Sequence, residues 1–288
     1  MELERTVAEN GVALVGGTCG CVHLAFTERT GGVSKAPYAS LNLGTHVGDD
    51  PAAVAENRRR VCEALGCEDV LPNLLAPNQV HGDRVVTVTP EILGMAERAV
   101  GTSPAAHPAP APSAPDPAAL ESVRADIAGH TGADAIVCTA PGVPVLLCFA
   151  DCVPVILTCE DAFAVVHSGW KGTYAGIAGK AARELSRTAR VPASGISAYI
   201  GPHICGDEYE VSADLIRMFS LRFANIVPDA SRLLDLSACI RQSLEEVGVL
   251  PCEIHDPHLS TMGRNDRFYS YRREQRTCGR HGAVAFIR

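Results

Sequence analysis

No run of 18 consecutive apolar residues occurs in this chain of 288, so no segment is long enough to cross a bilayer as a helix. Basic blocks are equally scarce. The longest is Arg58-Arg59-Arg60, and the net charge is -8, which argues against nucleic acid as the main partner while leaving room for a local basic pocket. Twelve cysteines include no Cys-x-x-Cys pair, and ten histidines include no His-x-His pair. The first absence removes the compact metal motifs. The second argues against a multicopper oxidase, which builds its clusters largely from His-x-His pairs. The zinc deaminase signature, His-x-Glu with Pro-Cys-x-x-Cys, is missing as well.

What is present is ordinary for a globular protein: 47% hydrophobic and 20% charged residues. The first nine residues carry three acids and no apolar core of signal-peptide length, so the expected location is the cytoplasm. Cys138, Cys148 and Cys159 sit inside apolar runs, where a reduced cysteine serves as a small hydrophobe. Gly101 to Pro117 is almost wholly Ala, Pro, Ser and Thr and reads as an exposed insertion within one domain, with His107 idle inside it.

Elsewhere strand and helix signals alternate. Asp49-Asp50-Pro51 opens a helix that runs to about Leu65 and stops at Gly66. Further helices are expected over Thr173–Arg190, Ser212–Ala224 and Asp235–Val247. Branched residues broken by turn signals predict strands at Arg84–Thr89, Ala135–Thr139, Val143–Phe149, Val153–Thr158, Phe163–His167, Ser197–Ile200 and Ala283–Ile287. The pattern predicts a layered α/β or α+β domain without internal repeats.

Three polar points interrupt strand ends: His81 in Asn78-Gln79-Val80-His81-Gly82, Asp151-Cys152 between two apolar runs, and His167 at the close of Ala164-Val165-Val166. Thiolate and imidazole both suit zinc, and a catalytic zinc has three protein ligands plus one open position. His81 and Cys152 stand 71 positions apart, Cys152 and His167 15. Spacing alone therefore leaves two uses open, a metal site and a thiol hydrolase with Cys152 as nucleophile. Taken singly, each residue also has a plain structural use: a histidine satisfied at a strand end, a core cysteine, an aspartate capping a turn.

Several segments resemble the YfiH-like family, whose members are also described as laccase-domain polyphenol oxidoreductases, as zinc-dependent purine nucleoside phosphorylases and as peptidoglycan editing factors. The resemblance rests on Phe26–Ser34, Ser40–Gly44, Val47–Asp50, Asn57-Arg58, Gln79–Gly82, Ala150–Val155, His167–Thr173, Ile200–Pro202, Tyr209–Val211, Ser270–Arg273 and Gly279-Arg280. Their order covers nearly the whole chain outside the insertion. It implies a four-layer α/β/β/α sandwich, a zinc ion on His81, Cys152 and His167, phosphorolysis of adenosine, inosine and methylthioadenosine, and deamination of adenosine. Ser168 and Lys171 stand where the family often has alanine and arginine, and a lysine loses the bidentate fork.

For that chemistry the residues offer Arg58, Lys171, Arg272 and Arg273 for phosphate, with the helix start after Gly172-Thr173, and Ser40 and Asn42 for ribose or base. Asp151, beside Cys152, is the candidate proton carrier. Copper remains an alternative metal at the same ligands. The competing functions are a cysteine amidase of peptidoglycan-precursor editing, a copper-dependent polyphenol oxidase, and a non-enzymatic metal-storage or redox-sensing protein. The partners expected are a nucleoside and phosphate, with no membrane and no nucleic acid, in a monomer or homodimer. Pro202-His203-Ile204-Cys205 and His255-Asp256-Pro257-His258 carry ligand-type residues without an assigned role.

Overall fold

The computed structural model describes residues 1–95, 114–227 and 229–288. In chain order the strands and helices are β1 Glu4–Val7, β2 Ala13–Cys19, β3 Val22–Thr27, α1 Pro51–Ala64, β4 Val85–Val88, α2 Pro117–Ala128, β5 Ala135–Cys138, β6 Val145–Phe149, β7 Val153–Cys159, β8 Ala162–Ser168, α3 Trp170–Ala175, α4 Ile177–Ala189, β9 Ser197–Ile200, α5 Ala213–Ser220, α6 Leu236–Glu245, β10 Ile254–His255 and β11 His281–Ile287. They form two sheets, one ordered β1-β2-β3-β11-β6 and the other β10-β9-β7-β8-β5-β4.

The side-chain alternation of the strands explains the layering. Along β8, Phe163 and Val165 point between the sheets, where they meet Phe26, Leu147, Phe149 and Ala285. Ala162, Ala164 and Val166 point the other way, against Ile177, Ala181 and Leu185 of α4 and Ile240 of α6. Both faces of β8 are therefore dry, and its sequence reads as an unbroken apolar run. The outer face of the first sheet packs Leu14, Ala25 and Val284 against Val61 of α1. The result is the expected α/β/β/α order, with α1 on one side and α3 to α6 on the other.

Helix α1 starts where its cap predicts: Asp50 accepts a hydrogen bond from the Ala52 amide, with Pro51 at the first position. The expected helix over 173–190 is instead two helices, because Gly176 takes a left-handed φ of 75° between them. Of the insertion, residues 101–113, His107 included, lie outside the described residues. Its end differs from expectation, since Asp116 and Pro117 cap and open α2. β1 to β3 lie outside the strands expected from the sequence pattern; Gly16 and Gly17 break the alternation of β2, and Gly20 lies in the turn to β3. Among the described residues no helix is long and apolar enough to cross a membrane.

Candidate metal centre

Register builds the site. β8 pairs antiparallel with β7, setting His167 opposite Pro154 and Ser168 opposite Val153, so Cys152 emerges beside His167. β8 also pairs antiparallel with β5, Val166 facing Ala135. That places Asp134 next to His167, whose amide donates to the Asp134 carbonyl at 2.7 Å. β4 runs parallel to β5, and the loop that enters it carries His81 to the same sheet edge. Four residues scattered over the sequence thus share one rim.

One ring nitrogen from each of His81 and His167 and the Cys152 sulfur lie within 4.8 Å of one another. The His81 and His167 rings stand edge to face, 4.8 Å between centroids. A Cβ added at Gly169 would come within 3.1 Å of the Cys152 sulfur and 3.2 Å of the His81 ring, so the glycine keeps the three donors free to converge. His167 Nδ1 bonds Asp134 Oδ1 at 2.7 Å, which leaves Nε2 for the centre. Burial pushes the Cys152 thiol up, but the His167 charge and hydrogen bonds from His167 and His81 outweigh it and bring it down to about 6. Burial pushes His167 down, and the Cys152 and Asp134 anions reverse this, raising it to about 9. Thiolate and imidazole in mutual reach, with a carboxylate behind one imidazole, are a donor set that fits a metal ion.

The three donors line a cavity of about 790 Å³, whose walls also include Trp170, Tyr209, Tyr271 and three arginines, Arg272, Arg276 and Arg280. Arg280 donates to the Cys278 and Gly279 carbonyls. Arg272 donates to the Glu210 carbonyl and stacks over Tyr209. The Arg276 amide donates to the Tyr271 carbonyl at 2.8 Å, but its guanidinium makes no hydrogen bond or ion pair with any described residue, and its backbone holds a left-handed φ of 75°.

The other residues singled out on sequence are placed differently. Asp151 lines the cavity, but both its oxygens are engaged: Oδ1 accepts from Thr261 Oγ1 at 2.6 Å and Oδ2 from the Arg272 amide at 2.7 Å. Ser40 and Asn42 are not among the cavity residues. Ser40 Oγ accepts from the Gly32 amide and donates to the Arg29 carbonyl, while the buried Asn42 bonds Asp49, Gly44 and the Arg280 amide. Both hold loops together. Arg58 is not among the cavity residues either and donates to the Leu43 carbonyl. Lys171 is exposed over the Trp170 ring, and Arg273 donates to the Met262 carbonyl; neither lines the cavity. The helix after the His167 segment starts at Trp170, before Gly172-Thr173, and has only six residues. His203 is buried with Nδ1 on the Gly201 carbonyl, and Cys205 groups with Asp207 and Glu208 away from the cavity lining.

The family model described as "Multi-copper polyphenol oxidoreductase laccase" matches residues 23–288. The chain belongs to that family. Within this laccase-like group it is 32% identical to a purine nucleoside phosphorylase of Pseudomonas aeruginosa, over 92% of this chain and 93% of that protein. It is 33% identical to a purine nucleoside phosphorylase of Streptomyces griseus, over 93% and 95%. Solved structures that it resembles include YlmD from Geobacillus stearothermophilus (TM-score 0.76, 28% identity, 96% of each chain) and YfiH from Bacillus licheniformis (TM-score 0.73, 27% identity, 93% of each chain). The family description speaks of several coppers. Among the described residues, however, the only other group of ligand-type atoms in similar reach is Cys205, Asp207 and Glu208, which contains no histidine. The donors brought together suit one ion.

Proposed function

We propose that this chain is a zinc-dependent purine nucleoside phosphorylase acting on adenosine, inosine and methylthioadenosine, with adenosine deamination as a second activity. The observation that carries the reading is one thiol and two imidazoles converging in a cavity that has arginines in its walls. The relatives named purine nucleoside phosphorylase support it. Zinc suits a mixed thiolate and imidazole set, and copper competes for the same donors. Held by His81, Cys152 and His167, the metal supplies Lewis acidity.

The remaining work falls to the chain. In phosphorolysis a phosphate oxygen bonds to C1′ of the ribose while the bond from C1′ to the purine nitrogen breaks, its electron pair leaving with the base. Phosphate has to be drawn from water and held beside C1′. Arg276, whose guanidinium has no partner to give up, supplies the charge, and Arg272 and Arg280 add to the field. Trp170, Tyr209 and Tyr271 offer ring faces to a purine. Asp151 acts as a positioning residue, tying the strand end that carries Cys152 to the segments of Thr261 and Arg272. We place the enzyme in the cytoplasm.

Inosine incubated with and without phosphate tests the reading. Equal amounts of hypoxanthine and ribose 1-phosphate, formed only with phosphate, are expected. Base release that continues unchanged without phosphate would overturn it. Adenosine in phosphate-free buffer reports deamination separately, as inosine.

A second reading has its own observation. Asp134, His167 and Cys152 form a line that resembles an activated thiol nucleophile, as the amide-hydrolase alternative requires. That line leaves no role for His81, although its ring also reaches the Cys152 sulfur. Alkylation of Cys152 by iodoacetamide separates the two: protection by zinc is expected for a ligand, whereas a free nucleophile reacts at one rate with or without it.

A further inference from the structure

We propose that Asp134 is the positioning residue of the metal centre, fixing one histidine through its ring and the other through its backbone. The inference rests on the metal-dependent reading above. Asp134 is fully buried at the start of β5, where a carboxylate is costly unless every lone pair is used. Oδ1 accepts from His167 Nδ1 at 2.7 Å and from the His81 amide at 3.0 Å. Oδ2 accepts from the Gly82 amide at 2.7 Å and the Val80 amide at 3.3 Å.

These bonds do two things at once. Accepting from Nδ1 settles where the His167 proton resides, so the lone pair of the neutral ring sits on Nε2, toward Cys152. Gathering three successive amides around one carboxylate wraps the 80–82 loop about it and holds His81 at a left-handed φ of 58°, a conformation a non-glycine residue keeps only when its surroundings impose it. Gln79 braces the same loop from the other side. Its Nε2 donates to the Cys148 carbonyl at 2.9 Å and its Oε1 accepts from the Cys148 amide at 2.8 Å. Asparagine at 134 would keep the size but turn one acceptor into a donor facing these N–H groups. No single asparagine orientation satisfies both the ring and the loop.

The test compares zinc affinity of the unmutated protein and Asp134→Asn by competition with a chromogenic chelator, with circular dichroism to check folding. The expected result is an affinity about 10- to 100-fold weaker in the folded variant. Equal affinity in a folded variant overturns the inference and leaves the metal reading standing. An unmutated protein that binds no zinc overturns the metal reading itself. If Asp134→Asn does not fold, the unmutated protein loaded with cadmium-113 decides: coupling from the metal to His167 Nε2 is expected, and coupling to Nδ1 contradicts the assignment.

Discussion

Cys152 and His167 meet at the first rungs of the β7–β8 ladder, and each sets the charge of the other. The thiol brought down to about 6 and the imidazole raised to about 9 favour the thiolate, the form in which sulfur binds a metal, and a metal takes the place of the Nε2 proton of His167. Cys152→Ser keeps the size and removes the soft donor. It should lower bound zinc from about one per chain to a small fraction by atomic absorption, and slow inosine phosphorolysis at least about 100-fold; full zinc content would contradict the ligand role. Arg276→Ala should raise KM for phosphate about tenfold, the effect of one charged hydrogen bond, with zinc content and unfolding temperature unchanged. A changed KM for nucleoside alone would move Arg276 out of the phosphate site. At this scale the sequence makes His81, Cys152 and His167 legible because polar residues stand out at apolar strand ends and the flanking segments resemble a family. Asp134 does not stand out, since nothing in Ala133-Asp134-Ala135 alone marks the acid as buried. Its signal is its place flush against a wholly apolar strand, where an acid needs a partner. The phosphate arginines are only partly legible: Arg272 stands out with the resembling segments, but whether an arginine lines the cavity, as Arg276 and Arg280 do and Arg58 and Arg273 do not, depends on tertiary contacts.

Elements are read from periodicity, and periodicity works where burial is uniform. β5 to β9 were expected nearly to the residue because both of their faces are dry. Helix α1 was equally clear from its acidic cap and proline. The α3–α4 break was not, because Gly176 sits in a run with good helical spacing and only its conformation ends the first helix. That break ends the short helix whose N-terminal flank is Gly169, the glycine that lies against the three donors. Gly176→Ala would force a side chain into the left-handed region, costing about 1–2 kcal/mol. Thermal unfolding should show that loss, and unchanged stability would mean the junction relaxes into a continuous helix. β1 and β2 lack the strand signal for different reasons: β1 is exposed along its whole length, so no buried face patterns it, and Gly16 and Gly17 interrupt the alternation of β2.

At the scale of the molecule, two sheets pressed face to face bring the rim of candidate ligands together from positions far apart in sequence, and charged ties close the edges. Glu28, buried after β3, accepts from Arg5 of β1 at 2.7 Å and from Arg267 near the C-terminal strand at 2.7 Å. Burial pushes its carboxyl up, but the hydrogen bonds and charges of Arg5 and Arg267 prevail and hold it below its ordinary 4.5. A depressed carboxyl stabilises the fold fully above the ordinary value and loses that contribution as pH falls through the lower folded one. Glu28→Gln should therefore unfold at lower temperature near neutrality, with the gap to the unmutated protein closing below about pH 4. A gap that ignores pH would contradict the ion-pair account. The four layers themselves were legible as a fold class from alternation and resemblance together, whereas the register that aligns β4, β5, β8 and β7 was not, because pairing partners are chosen by the whole core.

X-ray absorption at the zinc edge of the purified protein tests the centre directly. One sulfur at about 2.3 Å and two imidazole nitrogens at about 2.0–2.1 Å are predicted, with the zinc signal itself largely lost in Cys152→Ser. A first shell without sulfur in the unmutated protein would contradict it.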